Sequence, residues 1–219
     1  MIRSVTVQTL KRLPLYLGYL KSLLSNTDGT PINISATTIS SALELGEVQV
    51  RKDLSAVSSG GKPKTGYNVN ALINDIENFL GYNDVSNAVI IGVGNLGTAL
   101  LLYDGFKNYG LNIIAGFDNN INIVSTELMG KSIFPLNKLN DICMRLKVHI
   151  GIITVPADKA QEICDLLVDN GIKAIWNFAP THLVVPPDVL VQNENMASSL
   201  ALLSNHLFEQ LNNVKERDV

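Results

Sequence analysis

Residues 88–118 constrain what this chain can fold into more than any other stretch. Ala88-Val89-Ile90-Ile91 is a short unbroken apolar run, the pattern of a parallel strand covered on both faces. It leads directly into Gly92-Val93-Gly94-Asn95-Leu96-Gly97, and a second apolar run, Ile113-Ile114-Ala115-Gly116-Phe117, ends in Asp118. The spacing predicts strand, glycine turn, helix, strand and terminal acid, the order of a dinucleotide-binding unit. Gly92 permits the tight turn, Gly94 lets backbone approach a pyrophosphate, and Gly97 lets the helix pack close to the strand. Val93, Asn95 and Leu96 complete the turn, and the N–H groups at the helix start would face the phosphates. Asp118 is placed to accept the ribose hydroxyls of an adenosine. Its charge repels a 2′-phosphate, and the following Asn119 and Asn120 supply no arginine to neutralise one, which favours NAD(H) over NADP(H). Taken alone, Asp118 also reads as a cap on a strand–loop junction; its register with the glycines favours the ribose role.

The 219 residues are enough for one good core and a smaller second one. A hydrophobic share of 46% with 17% charged residues describes an ordinary soluble globular protein, and no apolar run reaches membrane-spanning length. The leucine-rich stretch from Leu13 to Leu20 is broken by Pro14 and lacks a small-residue cleavage site, so it does not read as a signal peptide. Cys143 and Cys164 lie in separate apolar helical patterns without metal-ligand spacing, as buried free thiols of a reducing cytoplasm would. His149, His182 and His206 are scattered, so no metal site is expected. Net charge divides unevenly, at +2 for residues 1–83 and −5 for residues 84–219.

The N-terminal part reads as a winged helix-turn-helix. Leu10, Leu13, Leu17, Leu20 and Leu24 recur at helical spacing, and residues 26–31 carry turn chemistry. Ser35 reads as the N-cap of a short helix to about Leu43, and Glu44-Leu45-Gly46 as a tight connection to a third helix over residues 47–55. Gly60-Gly61-Lys62-Pro63-Lys64-Thr65-Gly66 forms a hairpin-like loop before Tyr67. Three helices and a β-loop are the parts of that fold, whose third helix enters the major groove. Gln49, Arg51 and Lys52 are then placed on an exposed arc, with Val48 and Leu54 facing inward. Gln and Arg can pair with base edges, and Lys52, Lys62 and Lys64 can neutralise phosphate. A solvated charged face is the bland alternative; the preceding short helix and the following basic loop favour DNA.

Beyond residue 118 the chain alternates strand and helix, which predicts an open parallel sheet. Residues 148–156 form a strand and its loop, Ala157 to Asn170 a helix closed by Gly171, and residues 173–177 a further strand. The strand tips Thr154-Val155-Pro156 and Asn177-Phe178-Ala179-Pro180 belong on the rim that holds the glycine turn, where they would form an apolar slot for a nicotinamide. Met196 to Leu211 is a terminal helix with Leu200, Leu203, Leu207 and Leu211 along one stripe, apolar enough to need a partner. The expected architecture is thus α/β. A winged helix-turn-helix over residues 1–83 precedes a Rossmann-type parallel sheet over 84–194 and a C-terminal helix over 195–219.

Over nearly its full length the sequence resembles the bacterial redox-sensing transcriptional repressors of the Rex family. The resemblance rests on residues 12–17 (Arg-Leu-Pro-Leu-Tyr-Leu), Gln49 to Ser55, Gly66-Tyr67, Gly92 to Gly97, Tyr103, Thr154 to Pro156 and Asn177 to Pro180. It implies a homodimer with swapped C-terminal helices, NAD(H) in each subunit, and a palindromic double-stranded operator released as NADH rises. Ser55 and Tyr67 join the implied DNA-binding residues and Tyr103 the cofactor site. The chain departs from the family pattern in four places. Lys62-Pro63-Lys64 replaces a Gly-Arg-Arg-Gly-like wing, which keeps the charge but loses the bidentate fork. Ala56-Val57 replaces Tyr-Phe, and Gly18 stands where an Arg is common. Asn195-Met196 stands where Asp-Phe is common, and in the family that Asp exchanges between the Arg and the tyrosine matched by Tyr103. These departures imply a weakened coupling to NADH.

Three other readings compete. An NAD-dependent oxidoreductase draws on Tyr103 and Lys107, whose spacing matches a dehydrogenase pair but falls too early in the chain; no catalytic residues are otherwise visible. A CoA-binding protein would share the glycine turn but leaves Gln49 to Ser55 unexplained. A relative that has lost ligand sensing is favoured by the clustering of departures at Gly18, Asn195 and Met196.

Overall fold

The computed structural model describes residues 5–25 and 32–215. The chain divides into two compact units, Met1–Asp84 and Val85–Val219. The turn read over residues 26–31 lies outside the described residues.

In the first unit, α1 (Val7–Ser25) precedes β1 (Asn33–Ile34), α2 (Ala36–Ala42), α3 (Glu47–Val57), β2 (Tyr67–Asn68) and α4 (Val69–Leu80). Of the leucine stripe of α1, Leu13, Leu17 and Leu20 enter the core with Tyr16, whereas Leu10 is exposed and Leu24 half-buried. Pro14 sits inside the helix, where a proline costs roughly 3 kcal/mol or more; packing of the residues around it holds the helix together. Ser35 caps α2, its hydroxyl accepting the Thr38 N–H at 3.0 Å. On α3, Val50 and Leu54 are the buried pair, one helical turn apart, whereas Val48 is 68% exposed. The expectation that Val48 faces inward with Leu54 is corrected by helical geometry, since positions six apart fall on different faces. Two antiparallel pairings complete the winged fold. β1 runs against β2, and Lys62 and Gly66 exchange backbone hydrogen bonds of 2.9 Å to close the basic loop. Gly66 sits at φ +78° with the Ile34 carbonyl 2.2 Å from where a Cβ would stand, so only glycine fits that turn.

The second unit is built on a seven-stranded sheet. Its elements are β3 (Ser86–Ile91), α5 (Asn95–Leu102), β4 (Leu111–Asp118), β5 (Glu127–Leu128), β6 (Lys131–Pro135), α6 (Leu139–Arg145), β7 (Ile150–Ile153), α7 (Ala157–Asp169), β8 (Ala174–Asn177), β9 (Leu190–Asn193) and α8 (Met196–Lys215). The strand order is β5-β6-β4-β3-β7-β8-β9, parallel throughout except for the β5–β6 hairpin. β3 is central and its Val89, Ile90 and Ile91 are fully buried, as a strand covered on both faces must be. After β3 the chain moves to one side through β4 and returns on the other through β7, so the winding reverses beside the carboxyl tip of β3. Cys143 and Cys164 are buried free thiols, and burial pushes each up to about 11. The β5–β6 hairpin and β9 had no clear signal in the sequence: the first is too short for periodicity, and the second is an exposed edge strand.

Candidate functional site

Gly92 begins the turn at the tip of β3 with φ +95°, its N–H donating to the Phe117 carbonyl at 2.8 Å. Gly97 is forced by contact: a Cβ there would stand 1.9 Å from the Gly92 carbonyl oxygen and 2.9 Å from the Thr154 hydroxyl. Gly94 has nothing within 4 Å of its missing Cβ. It is the N-cap of α5 and provides no side-chain cap, so the N–H groups of the first turn are left for an outside acceptor. The Thr154 hydroxyl donates to the carbonyls of Gly92 at 2.6 Å and Ile91 at 3.1 Å, which ties the tip of β7 to the turn.

Asp118 is half-buried at the tip of β4. One carboxylate oxygen accepts the Val93 N–H at 2.7 Å and the other the Asn120 N–H at 2.8 Å. Part of its task is therefore local, since it holds the glycine turn in place. Each oxygen still carries a second acceptor site. A cavity of about 660 Å³ opens here, lined by Gly92, Gly94, Asp118, Asn119, Thr154, Val155 and Pro156. Its far wall comes from α7, with Lys159, Glu162, Asp165 and Asp169. The volume falls within the range of small-molecule sites.

Other residues expected at this site do not line this cavity. Asn177 is fully buried and engaged internally: its Nδ2 donates to the carbonyls of Ala179 and Thr181 and to Asn193 Oδ1, and its Oδ1 accepts the Ala179 N–H. It shapes the β8 loop and has no free polar atom for a ligand. Ala179 is buried, Phe178 half-buried and Pro180 exposed, and none of the four lines the cavity. Tyr103 lies at the far end of α5, about 12 Å along the axis from the glycine turn by the helical rise. It heads a chain of aromatic contacts, Tyr103–Phe106–Trp176–Phe178, with centroids 4.9, 5.5 and 4.9 Å apart. The first and last members of that chain were both read as cofactor residues; Phe106 and Trp176, which join them, were not.

In the first unit the exposed face of α3 carries Gln49, Arg51, Lys52 and Ser55. Arg51 pairs with Glu47 one turn earlier, and the Ser55 hydroxyl donates to the Lys52 carbonyl at 2.9 Å. Lys52, Lys62 and Lys64 are exposed and make no ion pair among the described residues. Tyr67 is a correction: it is 9% exposed, and its ring packs against Gly61, where a Cβ would come within 2.6 Å. It props the loop from beneath instead of reaching outward.

The residue that sequence reasoning overlooked is Asp53. It is 2% exposed and accepts from Thr9 Oγ1, Arg12 Nη2 and Gln49 Nε2 on one oxygen, and from Arg12 Nε and the Tyr16 hydroxyl on the other, at 2.7–3.1 Å. Burial pushes its carboxyl upward, but the bonds from Arg12, Tyr16, Gln49 and Thr9 outweigh burial and hold it below the ordinary value. Tyr16 is driven up to about 12 by burial and by Asp53. An acid inside a helix flanked by Arg and Lys reads as surface charge; the only available signal was its four-residue spacing from Gln49.

A winged helix followed by a doubly wound parallel sheet with an open glycine turn defines a two-domain class, a DNA-binding module joined to a dinucleotide-type domain. Comparison with known proteins agrees. Residues 4–55 match the family model described as "Putative DNA-binding protein N-terminus", and residues 83–181 match that of the CoA binding domain. The redox-sensing transcriptional repressor Rex of Bacteroides thetaiotaomicron is 41% identical over 207 residues, covering 93% of this chain and 91% of its own. That of Treponema denticola is 43% identical over 195 residues, covering 89% and 91%. Among solved structures, the Rex-family repressor RSP in complex with β-NAD⁺ and operator DNA superposes with a TM-score of 0.87 at 36% identity, covering 98% of this chain and 97% of its own. RSP in complex with β-NADH gives 0.85 at 36%, covering 96% and 98%. The chain belongs to the Rex family of redox-sensing transcriptional repressors.

Proposed function

We propose that this protein is a transcriptional repressor that binds a palindromic operator as a homodimer and leaves it when NADH fills the site at the glycine turn. The observation that carries the reading is the presence in one chain of two open surfaces: the α3 face with its Lys62 and Lys64 wing, and the uncapped glycine turn beside Asp118. The first suits phosphate and base edges, the second a pyrophosphate and an unphosphorylated ribose. In the neighbour RSP one complex holds NAD⁺ with operator DNA and another holds NADH, which supports a nucleotide-dependent change of DNA affinity.

The residues suit NAD(H). Gly94 and the first turn of α5 would hold the pyrophosphate, Asp118 the adenosine ribose, and Thr154 to Pro156 the wall of the slot. The bound dinucleotide supplies a redox state to be read, and this chain's residues orient it. Hydride transfer to a substrate would need a proton partner. The nearest dehydrogenase-like pair fails on geometry, because Lys107 is ion-paired with Asp104 and Tyr103 is half-exposed at the far end of α5. A role in transcription also implies a cytoplasmic protein; among the described residues no helix is long and apolar enough to cross a membrane.

A homodimer accounts for α8. Leu200, Leu203, Leu207, Phe208 and Leu211 are each more than half exposed, and a second copy offering the same stripe would cover them. Exchange of α8 between subunits is the arrangement the family resemblance implies. The NADH response is weakened in this chain. Gly18 has no side chain, and the Asn195 carboxamide accepts the Ser198 N–H at 3.1 Å as a cap on α8 instead of offering a charge to Tyr103. Losing a charge-assisted pair removes much of a coupling that is typically about 1–3 kcal/mol.

Fluorescence anisotropy of a labelled Rex-type palindrome at fixed salt, challenged separately with NAD⁺ and NADH, tests this. Binding that NADH reverses only at high concentration is expected, and Gly18→Arg with Asn195→Asp should strengthen release. Full release by NADH in the unaltered protein would remove the weakened coupling but keep the repressor. Indifference to both nucleotides would leave a DNA-binding protein without a sensor, and no DNA binding would overturn the reading.

A further inference from the structure

The five hydrogen bonds on Asp53 differ in one respect. Four come from α1, from Thr9, Arg12 and Tyr16, and bind two helices together inside the first unit. The fifth comes from Gln49, an exposed residue one turn earlier on α3, whose Nε2 lies 3.0 Å from Asp53 Oδ1. An ionised carboxylate can only accept, so the nitrogen end of the amide must be the end that faces it. That bond uses one of the two Nε2 hydrogens. When the bond takes the hydrogen anti to the carbonyl, the remaining N–H and the carbonyl oxygen lie side by side at the other edge of the amide, and Oε1 has no partner among the described residues.

We infer that Asp53 is a specificity-positioning residue: by holding the nitrogen end of Gln49, it presents the amide as an ordered acceptor–donor pair matched to the major-groove edge of adenine. Adenine offers N6–H as donor beside N7 as acceptor, and an amide meets both at once only when its edge is turned outward in the right sense. Without Asp53 the amide could present either end, and the distinction between adenine and the other bases would blur. With it, the preference is set before DNA arrives, because the carboxylate is itself locked by Arg12 and Tyr16. Among the described residues, the ion pair of Arg51 is with half-buried Glu47 one turn away. Asp53 thus touches no base and acts through Gln49.

The inference rests on the DNA-binding reading and is tested on the full chain. A palindrome is first selected by the unaltered protein from a random duplex pool, and each base pair of a half-site is then replaced in turn. The unaltered protein should prefer A·T at one position by roughly 5- to 150-fold, the span of one bidentate amide–base contact. Gln49→Leu should erase that preference and leave those at other positions and the salt slope unchanged. Asp53→Asn should reduce the same preference alone, and combining the two changes should add nothing further at that base pair. An even loss across all positions with Asp53→Asn, or a preference that survives Gln49→Leu, overturns the inference while the repressor reading stands. If the unaltered protein selects no palindrome, both fall. Where Asp53→Asn does not fold, solvent exchange of the Gln49 Nε2 protons in the free protein decides: exchange slowed relative to an exposed glutamine is expected, and exchange as fast as that of an exposed glutamine overturns the inference.

Discussion

Two carboxylates, Asp53 in the winged unit and Asp118 in the sheet unit, show how differently one residue type is used in this molecule. Asp53 is sealed in a core and surrounded by side-chain donors, two of them from a guanidinium. Asp118 stands at the mouth of a cavity and is held by two backbone N–H groups of its own neighbourhood. The first joins elements that are far apart in sequence, and the second stabilises a turn and keeps acceptor sites for a guest. Removing the first should therefore damage the fold, whereas removing the second should damage recognition.

The sharpest break is Asp53→Ala. It leaves the Arg12 guanidinium and the buried Tyr16 hydroxyl without their acceptor, and loss of one partner of a buried pair costs about 3–5 kcal/mol. Urea titration should show the first unit unfolding well before the second. Asp118→Ala should cost only about 1.5 kcal/mol of stability, but weaken NADH by roughly tenfold and narrow the preference for NADH over NADPH. Fluorescence titration with the two nucleotides measures both. If instead Asp118→Ala unfolds the sheet unit and Asp53→Ala is silent, the contrast is wrong.

The glycines around Asp118 sharpen the same contrast on a smaller scale. Gly97→Ala drives a Cβ against the Gly92 carbonyl and should lower stability by about 1–3 kcal/mol. Gly94→Ala meets open space, so it should melt like the unaltered protein yet bind nucleotide poorly. Calorimetry with and without NADH separates the pair.

The Asp53 cluster also has a pH signature at both ends. The folded carboxyl lies below its unfolded value of about 3.9, so its contribution is complete above pH 4 and lost as pH falls through the folded value. Tyr16, raised from 10.0 to about 12, contributes below pH 10 and loses that contribution as pH rises towards 12. Tyr16→Phe should cost about 1 kcal/mol at neutral pH and flatten the alkaline limb, as read from denaturation midpoints across pH. The smallest effect belongs to α1, where exposed Gly18 has room for a side chain; Gly18→Ala should gain up to about 1 kcal/mol.

Much of this molecule was legible in the residues. The glycine turn, its flanking strands, the Ser35 cap and the leucine face of α1 follow local rules of period, backbone freedom and capping, so the string alone determined them. The internal contacts of Asn177 and Tyr67 were not legible, because a polar or aromatic residue at a strand tip looks the same in sequence whether it faces a ligand or its own loop. Val48 failed for a simpler reason, as the helical phase of α3 is anchored by Val50 and Leu54.

Family membership and the two-part architecture were thus in the sequence, because short-range patterns carry them. Only the tertiary structure decided that Asp53 is a hub, that Asp118 holds its own turn, and that an aromatic chain joins Tyr103 to Phe178. Those facts depend on which groups meet across 25 to 44 positions of chain or more. A carboxylate's role is set by the donors around it and its distance from water, and neither is fixed until the chain has packed.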